Sequence, residues 1–138
     1  MKTTYIRIVT LVALATMLTA SVYGDATAYA KIIKERDAVL SQILSERERM
    51  RNTGTANEEA IFSAQIALYS FRRDTASTVS ERIKNQELIV AAHDKRLVEI
   101  KKQAQAGAAT NMDTLLATDG LLQAKQILEE LKMGEKKS

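Results

Sequence analysis

The chain has no cysteine, no proline and no tryptophan, and five glycines among 138 residues. Without cysteine there can be no disulfide, no thiolate metal site and no lipid-modified N-terminus of the bacterial lipoprotein kind. Without proline nothing interrupts a long helix. Four Tyr and two Phe are the whole aromatic complement. What fills the chain instead is Ala, Leu, Ile, Glu, Lys, Arg and Gln, a composition suited to coiled coils and helical bundles. Its length allows one domain at most.

Charge is mixed. Twenty Lys and Arg stand against 17 Asp and Glu. Lys2 and Arg7 precede and enter an uncharged apolar run from Ile8 to Leu18, and Val22-Tyr23-Gly24 offers small or tolerated residues at the −3 and −1 cleavage positions. This is the layout of a secretion signal over residues 1–24. The apolar run is about half the roughly 20 residues that span a bilayer, and an uncleaved N-terminal anchor is the alternative. Cleavage would leave residues 25–138 as the mature helical domain, with no membrane span, 18 basic against 17 acidic side chains, and the periplasm as its expected location. A nucleic-acid binder would show a net basic face, so no nucleic-acid partner is expected.

The mature part reads as an all-α fold of long antiparallel coiled-coil hairpins with three helices. The first runs roughly from Asp25 to Arg51, with an apolar stripe of Tyr29, Ile32/Ile33, Val39/Leu40, Ile43/Leu44 and Met50 at three-to-four spacing. Asn52-Thr53-Gly54-Thr55 ends it, and Thr55 with Glu58, or Asn57 alone, caps the next. In the second, Phe62, Tyr69, Ala76, Ile83, Val90, Leu97 and Ala104 fall seven apart. That register predicts a supercoiled seam. The run Asp74 to Ser80 holds poor helix formers, yet the heptad passes through it in phase. One central helix of about 50 residues, roughly 70 Å long, is therefore expected. The third helix starts near Thr110, where Thr110 and Asp113 stand at capping-box spacing, and Leu115, Leu121/Leu122, Ile127/Leu128 and Leu131 make its expected apolar face. The outer helices are expected to lie end to end along the central one, leaving a face for self-association as a dimer or trimer.

Chemistry is sparsely represented. His93 is the single histidine, and it reads as a tolerated seam residue. Asp74, Asp113 and Asp119 read as caps and solvated groups. No catalytic residue, metal site or cofactor is expected. Phe71, off the heptad stripe, is the aromatic expected to be exposed for contact, and Gln65, Arg72 and Gln86 weaken the companion positions of the seam.

One stretch occurs twice. Gly107-Ala-Ala-Thr110-Asn-Met-Asp113-Thr-Leu115-Leu-Ala117 continues through Leu121 and Ala124 to Leu128, and 53 residues earlier Gly54 to Leu68 repeats its skeleton. Gly107, Thr110, Asp113, Leu115, Ala117, Leu121, Ala124 and Leu128 together resemble the hairpin tip of TolC-like outer-membrane efflux channels. Gly54, Ala64 and Leu68 fit the weaker copy. The resemblance implies a turn that faces a protein partner at the envelope, with Gly54, Gly107, Thr110 and Asp113 in it. The chain is far too short for a whole channel and has no strand-like segment.

The leading expectation is thus a non-enzymatic periplasmic interaction protein. A small periplasmic chaperone clasping unfolded clients is the alternative. A remnant of a larger channel gene comes third and an enzyme last.

Overall fold

The computed structural model describes residues 2–136, with side chains from Ala26 onward. The leader expected over residues 1–24 lies outside the described side chains. All the regular structure among the described residues is helical: α1 (Lys2–Asn52), α2 (Glu58–Thr75), α3 (Val79–Gln105) and α4 (Asn111–Glu135). The chain divides into two units, the first ending at Arg36 and the second beginning at Asp37. The first contributes a stretch of α1. The second contains the rest of α1 and the three shorter helices.

The expected central helix of about 50 residues is not formed. It breaks at Ala76-Ser77-Thr78 into α2 and α3, and the cause is local hydroxyl chemistry. Thr75 Oγ1 donates back to the carbonyl of Phe71 at 2.8 Å. Ala76 then turns extended (φ −64°, ψ 136°). Thr78 makes a full capping box, accepting from the N–H of Glu81 while the Glu81 carboxylate accepts from the N–H of Thr78. Short hydroxyl side chains offer the backbone these alternatives to a helical hydrogen bond. A register that continues in phase is therefore not sufficient for a continuous helix.

The break lets α2 fold back along α3. Arg96 pairs with Glu59, Phe62 meets His93 and Arg73 reaches Gln86, which is an antiparallel arrangement. Helix α4 returns along α3 in turn, with Gln86 bonded to Ala124 and Leu97 clustered with Ala117 and Leu121. The part of α1 from Asp37 onward packs on α2, where Leu44 joins Ile61, Ala64 and Leu68, with Leu40 and Tyr69 at the edge. So α2 and α3 lie side by side, in place of one rod supporting two outer helices.

The buried side of α4 is Ala117, Leu121, Ala124 and Leu128. These repeat at three-to-four spacing and face one way. The two alanines let α4 approach α3 closely while the leucines fill the space between. Phe71, expected to be exposed, is instead buried, as are Ile61, Ala64 and Leu68 three and four residues apart on the same helix. The inward stripe of α2 runs one residue ahead of Phe62 and Tyr69, and Phe71 falls on it.

Candidate functional site: the repeated glycine turn

The two copies of the repeat form the same hydrogen-bonded turn. At the end of α1, Gly54 N–H donates to Arg51 O (2.9 Å), while Thr55 and Ala56 N–H both donate to Met50 O (2.8 and 3.2 Å). At the end of α3, Gly107 N–H donates to Ala104 O (3.0 Å), and Ala108 and Ala109 N–H both donate to Gln103 O (2.8 and 3.3 Å). Each partner in the second turn lies 53 positions after its counterpart. Gly54 and Gly107 have φ of +72° and +74°, the left-handed closure that glycine adopts without a Cβ penalty.

The caps that open the following helices differ. Asn57 accepts from the N–H of Ala60 at 2.9 Å, so the second of the two capping options read from the sequence is the one used. Thr55 turns back and donates its hydroxyl to Met50 O. In the second copy Thr110 accepts from Asp113 N–H (3.1 Å), and Asp113 Oδ2 accepts from both the N–H and the hydroxyl of Thr110 (2.7 and 2.6 Å). The Thr110 hydroxyl, followed by its N–H, holds the Asp113 carboxyl below its ordinary range. Asp113 is thus a carboxylate committed to its own turn.

Immediately after this turn come apolar side chains that face solvent. Met112 is 61% exposed, Leu115 54% and Leu116 62%. Leu115, one of the motif residues, therefore points away from α3 while Ala117, Leu121, Ala124 and Leu128 pack on it. A rigid polar turn beside exposed apolar residues can dock a protein.

The heptad residues are distributed over the broken helix. Phe62 and Tyr69 lie on α2, Ala76 in the break, and Ile83, Val90, Leu97 and Ala104 on α3. Leu97 is buried with Ala117 and Leu121, and Val90 packs against that cluster. Tyr69 packs on the separate cluster around Leu44. Ile83 and Ala104 are half-buried.

His93 sits where three helices meet. Its ring stands edge-on to Phe62, with centroids 5.0 Å apart and planes at 79°, and the Arg96 guanidinium covers Phe62 at 4.6 Å. Nδ1 is buried without a hydrogen-bond partner. Burial, then the charge of Arg96, pushes the imidazole pKa down. The cavity beside it, about 390 Å³, lies between the start of α2 and the end of α3. Among its lining charges Glu59 pairs with Arg96 and Glu58 with Lys95.

Two polar links were not legible in the sequence. Arg72 forms a forked ion pair with Asp37 (2.6 and 2.9 Å) and reaches Ser41 Oγ. Gln86, fully buried, accepts from Arg73 at 2.8 Å and donates to the backbone of α4. Read as weak points in a seam, Arg72 and Gln86 instead tie helices together. Only the positions of their partners, set by the fold, reveal this.

No family model matches the chain, and neither a curated protein nor a solved structure matches it.

Proposed function

We propose that this chain is a non-enzymatic helical interaction protein of the cell envelope, exported to the periplasm, self-associating, and using the Gly107–Leu116 turn to meet a protein partner. The observation that carries the reading is the pairing of a fully hydrogen-bonded turn with three exposed apolar residues, Met112, Leu115 and Leu116. A turn fixed by glycine closure and a capping box presents those side chains with little ordering left to be done on binding. Exposed apolar residues beside a rigid scaffold commonly mark protein contact sites. The resemblance of the Gly107 to Leu128 segment to TolC-like hairpin tips supports an envelope partner in this reading.

The test is site-specific photo-crosslinking in cells, with the probe at Leu115 or Leu116 and a control at Lys125 on the same helix. A discrete adduct at the turn, absent at Lys125 and lost in Gly107→Val, supports the reading. Equal, heterogeneous labelling at all three positions would point to the client-binding chaperone. The further apolar residues exposed on α4, Leu122 at 59% and Met133 at 55%, favour that second reading.

A further inference from the structure

The cavity of about 390 Å³ between the start of α2 and the end of α3 has the size of a small-molecule pocket. Among its lining residues Ile61 and Ala92 are buried, and Phe62 and Ile100 are half-buried. Phe62 is held by two contacts, its ring meeting His93 edge-on and lying under the Arg96 guanidinium. The apolar wall is therefore already in place, with little ordering left for a ligand to impose.

The charges around that wall leave a cation over. Glu58 is met by both Arg51 and Lys95, at 3.6 and 3.7 Å, and Glu59 by Arg96 at 2.9 Å. Glu99 accepts from the side-chain amide of Gln103. Each lining carboxylate is thus engaged. Lys102 also lines the cavity and is exposed, and among the described residues no carboxylate pairs with its ammonium. It lies ten residues beyond Ala92 on the same helix, a separation of roughly 15 Å. A free positive charge therefore stands at one end of an elongated apolar wall. A compact anion would leave that wall in contact with water, and a plain hydrocarbon would leave Lys102 unused. A single acyl chain ending in a carboxylate satisfies both, since an ammonium offers three donors to an anion that only accepts. We propose that the α2–α3 cavity binds a free fatty carboxylate, its chain against Phe62 and Ala92 and its head group on Lys102.

This binding site uses none of Met112, Leu115 and Leu116, so it does not depend on what meets the Gly107 turn. Isothermal titration of the full chain with hexanoate, octanoate and decanoate, each below its micelle threshold, tests it. Every methylene that reaches the wall should tighten binding about fourfold. Lys102→Glu should weaken decanoate binding about tenfold or more. Lys101→Glu makes the same charge change at a neighbouring exposed lysine outside the cavity, and should leave the affinity within about twofold. Decyltrimethylammonium, with the same chain and the opposite charge, should bind far more weakly than decanoate. Amide shifts in NMR spectra should change at the start of α2 and the end of α3. No measurable binding, or an affinity indifferent to chain length, would overturn the site. Equal losses in the two lysine variants, or equal binding of the cationic amphiphile, would overturn the head-group assignment. Shifts confined to α4 around Leu122 and Met133 would show adsorption on that exposed face instead. Binding to phosphatidylglycerol vesicles without binding to free decanoate would make the ligand a membrane surface and overturn the proposal.

Discussion

Gln86 donates its side-chain N–H to the backbone carbonyl of Ala124 at 2.8 Å, from a position with no exposure at all. With its oxygen accepting from Arg73, this amide joins α2, α3 and α4 through one side chain. Removing it by Gln86→Ala leaves a cavity and strips Arg73 of a partner, for an expected loss of about 2–3 kcal/mol. Gln86→Leu fills the volume but strips Arg73 of the same partner, so it should cost about 1–2 kcal/mol, less than Gln86→Ala. Urea midpoints of the two variants check this. Equal losses would show that packing volume plays no part.

Gly120 and His93 are coupled by crowding. A Cβ at Gly120 would stand 3.0 Å from both Cε1 and Nδ1 of the imidazole. Gly120→Ala alone gains helix propensity but forces the ring to move, and a net effect near zero or slightly destabilising is expected. In a His93→Ala background the same change should stabilise by about 1 kcal/mol, the ordinary helical gain. Identical effects in the two backgrounds would remove the steric account.

The pH dependence has a defined sign. His93 is held below its ordinary value of 6.5, chiefly by burial between α2 and α4 and then by Arg96. Its folded state therefore binds fewer protons than the unfolded chain, and stability is fully present above about pH 6.5. It is lost as pH falls from there through the lowered folded value. His93→Leu should raise the melting temperature at pH 5 more than at pH 8, since it also removes the unpartnered Nδ1. An equal shift at both pH values would show that protonation plays no part. A second fall is expected in stronger acid, where Asp37 loses the charge that the Arg72 hydrogen bond holds below 3.8.

The turns respond differently to the same substitution chemistry. Gly107 has open space around its missing Cβ, so Gly107→Ala suffers only from its positive φ, for about 1–2 kcal/mol. Helix content by circular dichroism should be retained while the melting temperature falls. Asp113→Ala removes the reciprocal cap and should cost about 1 kcal/mol. Ala60 stands at the corresponding place in the first turn, where Asn57 caps alone, so a substitution there removes no such cap. An Ala60→Ser effect as large as that of Asp113→Ala would contradict this distinction.

Much of this was legible in the residues. Gly54 and Gly107 mark turns because left-handed closure needs them, and Thr110 with Asp113 announces its cap by spacing alone. The apolar face expected for the last helix, Leu115, Leu121, Leu122, Ile127, Leu128 and Leu131, is buried at Leu121 and Leu128, whereas Leu115, Leu122 and Ile127 face solvent and Ala117 and Ala124 complete the inward row. The break at Ala76–Thr78 could not be settled from periodicity, because the outcome rested on whether three hydroxyl residues would outcompete a continuing helix. Phe71 reads as exposed for a related reason: the row from Phe62 has core spacing, and the inward stripe lies one residue away. For Arg72 and Gln86 the deciding partners, Asp37 and Ala124, lie more than 30 residues away in the chain.

The order of helix pairing has a kinetic consequence. Helix α2 meets α3, α3 meets α4, and the later part of α1 meets α2, so each pairing joins segments adjacent in the chain. Closure of each hairpin needs only a short turn already shaped by glycine or by a capping box. Such low contact order is associated with folding in microseconds to milliseconds. During synthesis each pair can zip as soon as its second helix emerges, with no early segment left waiting for a distant one.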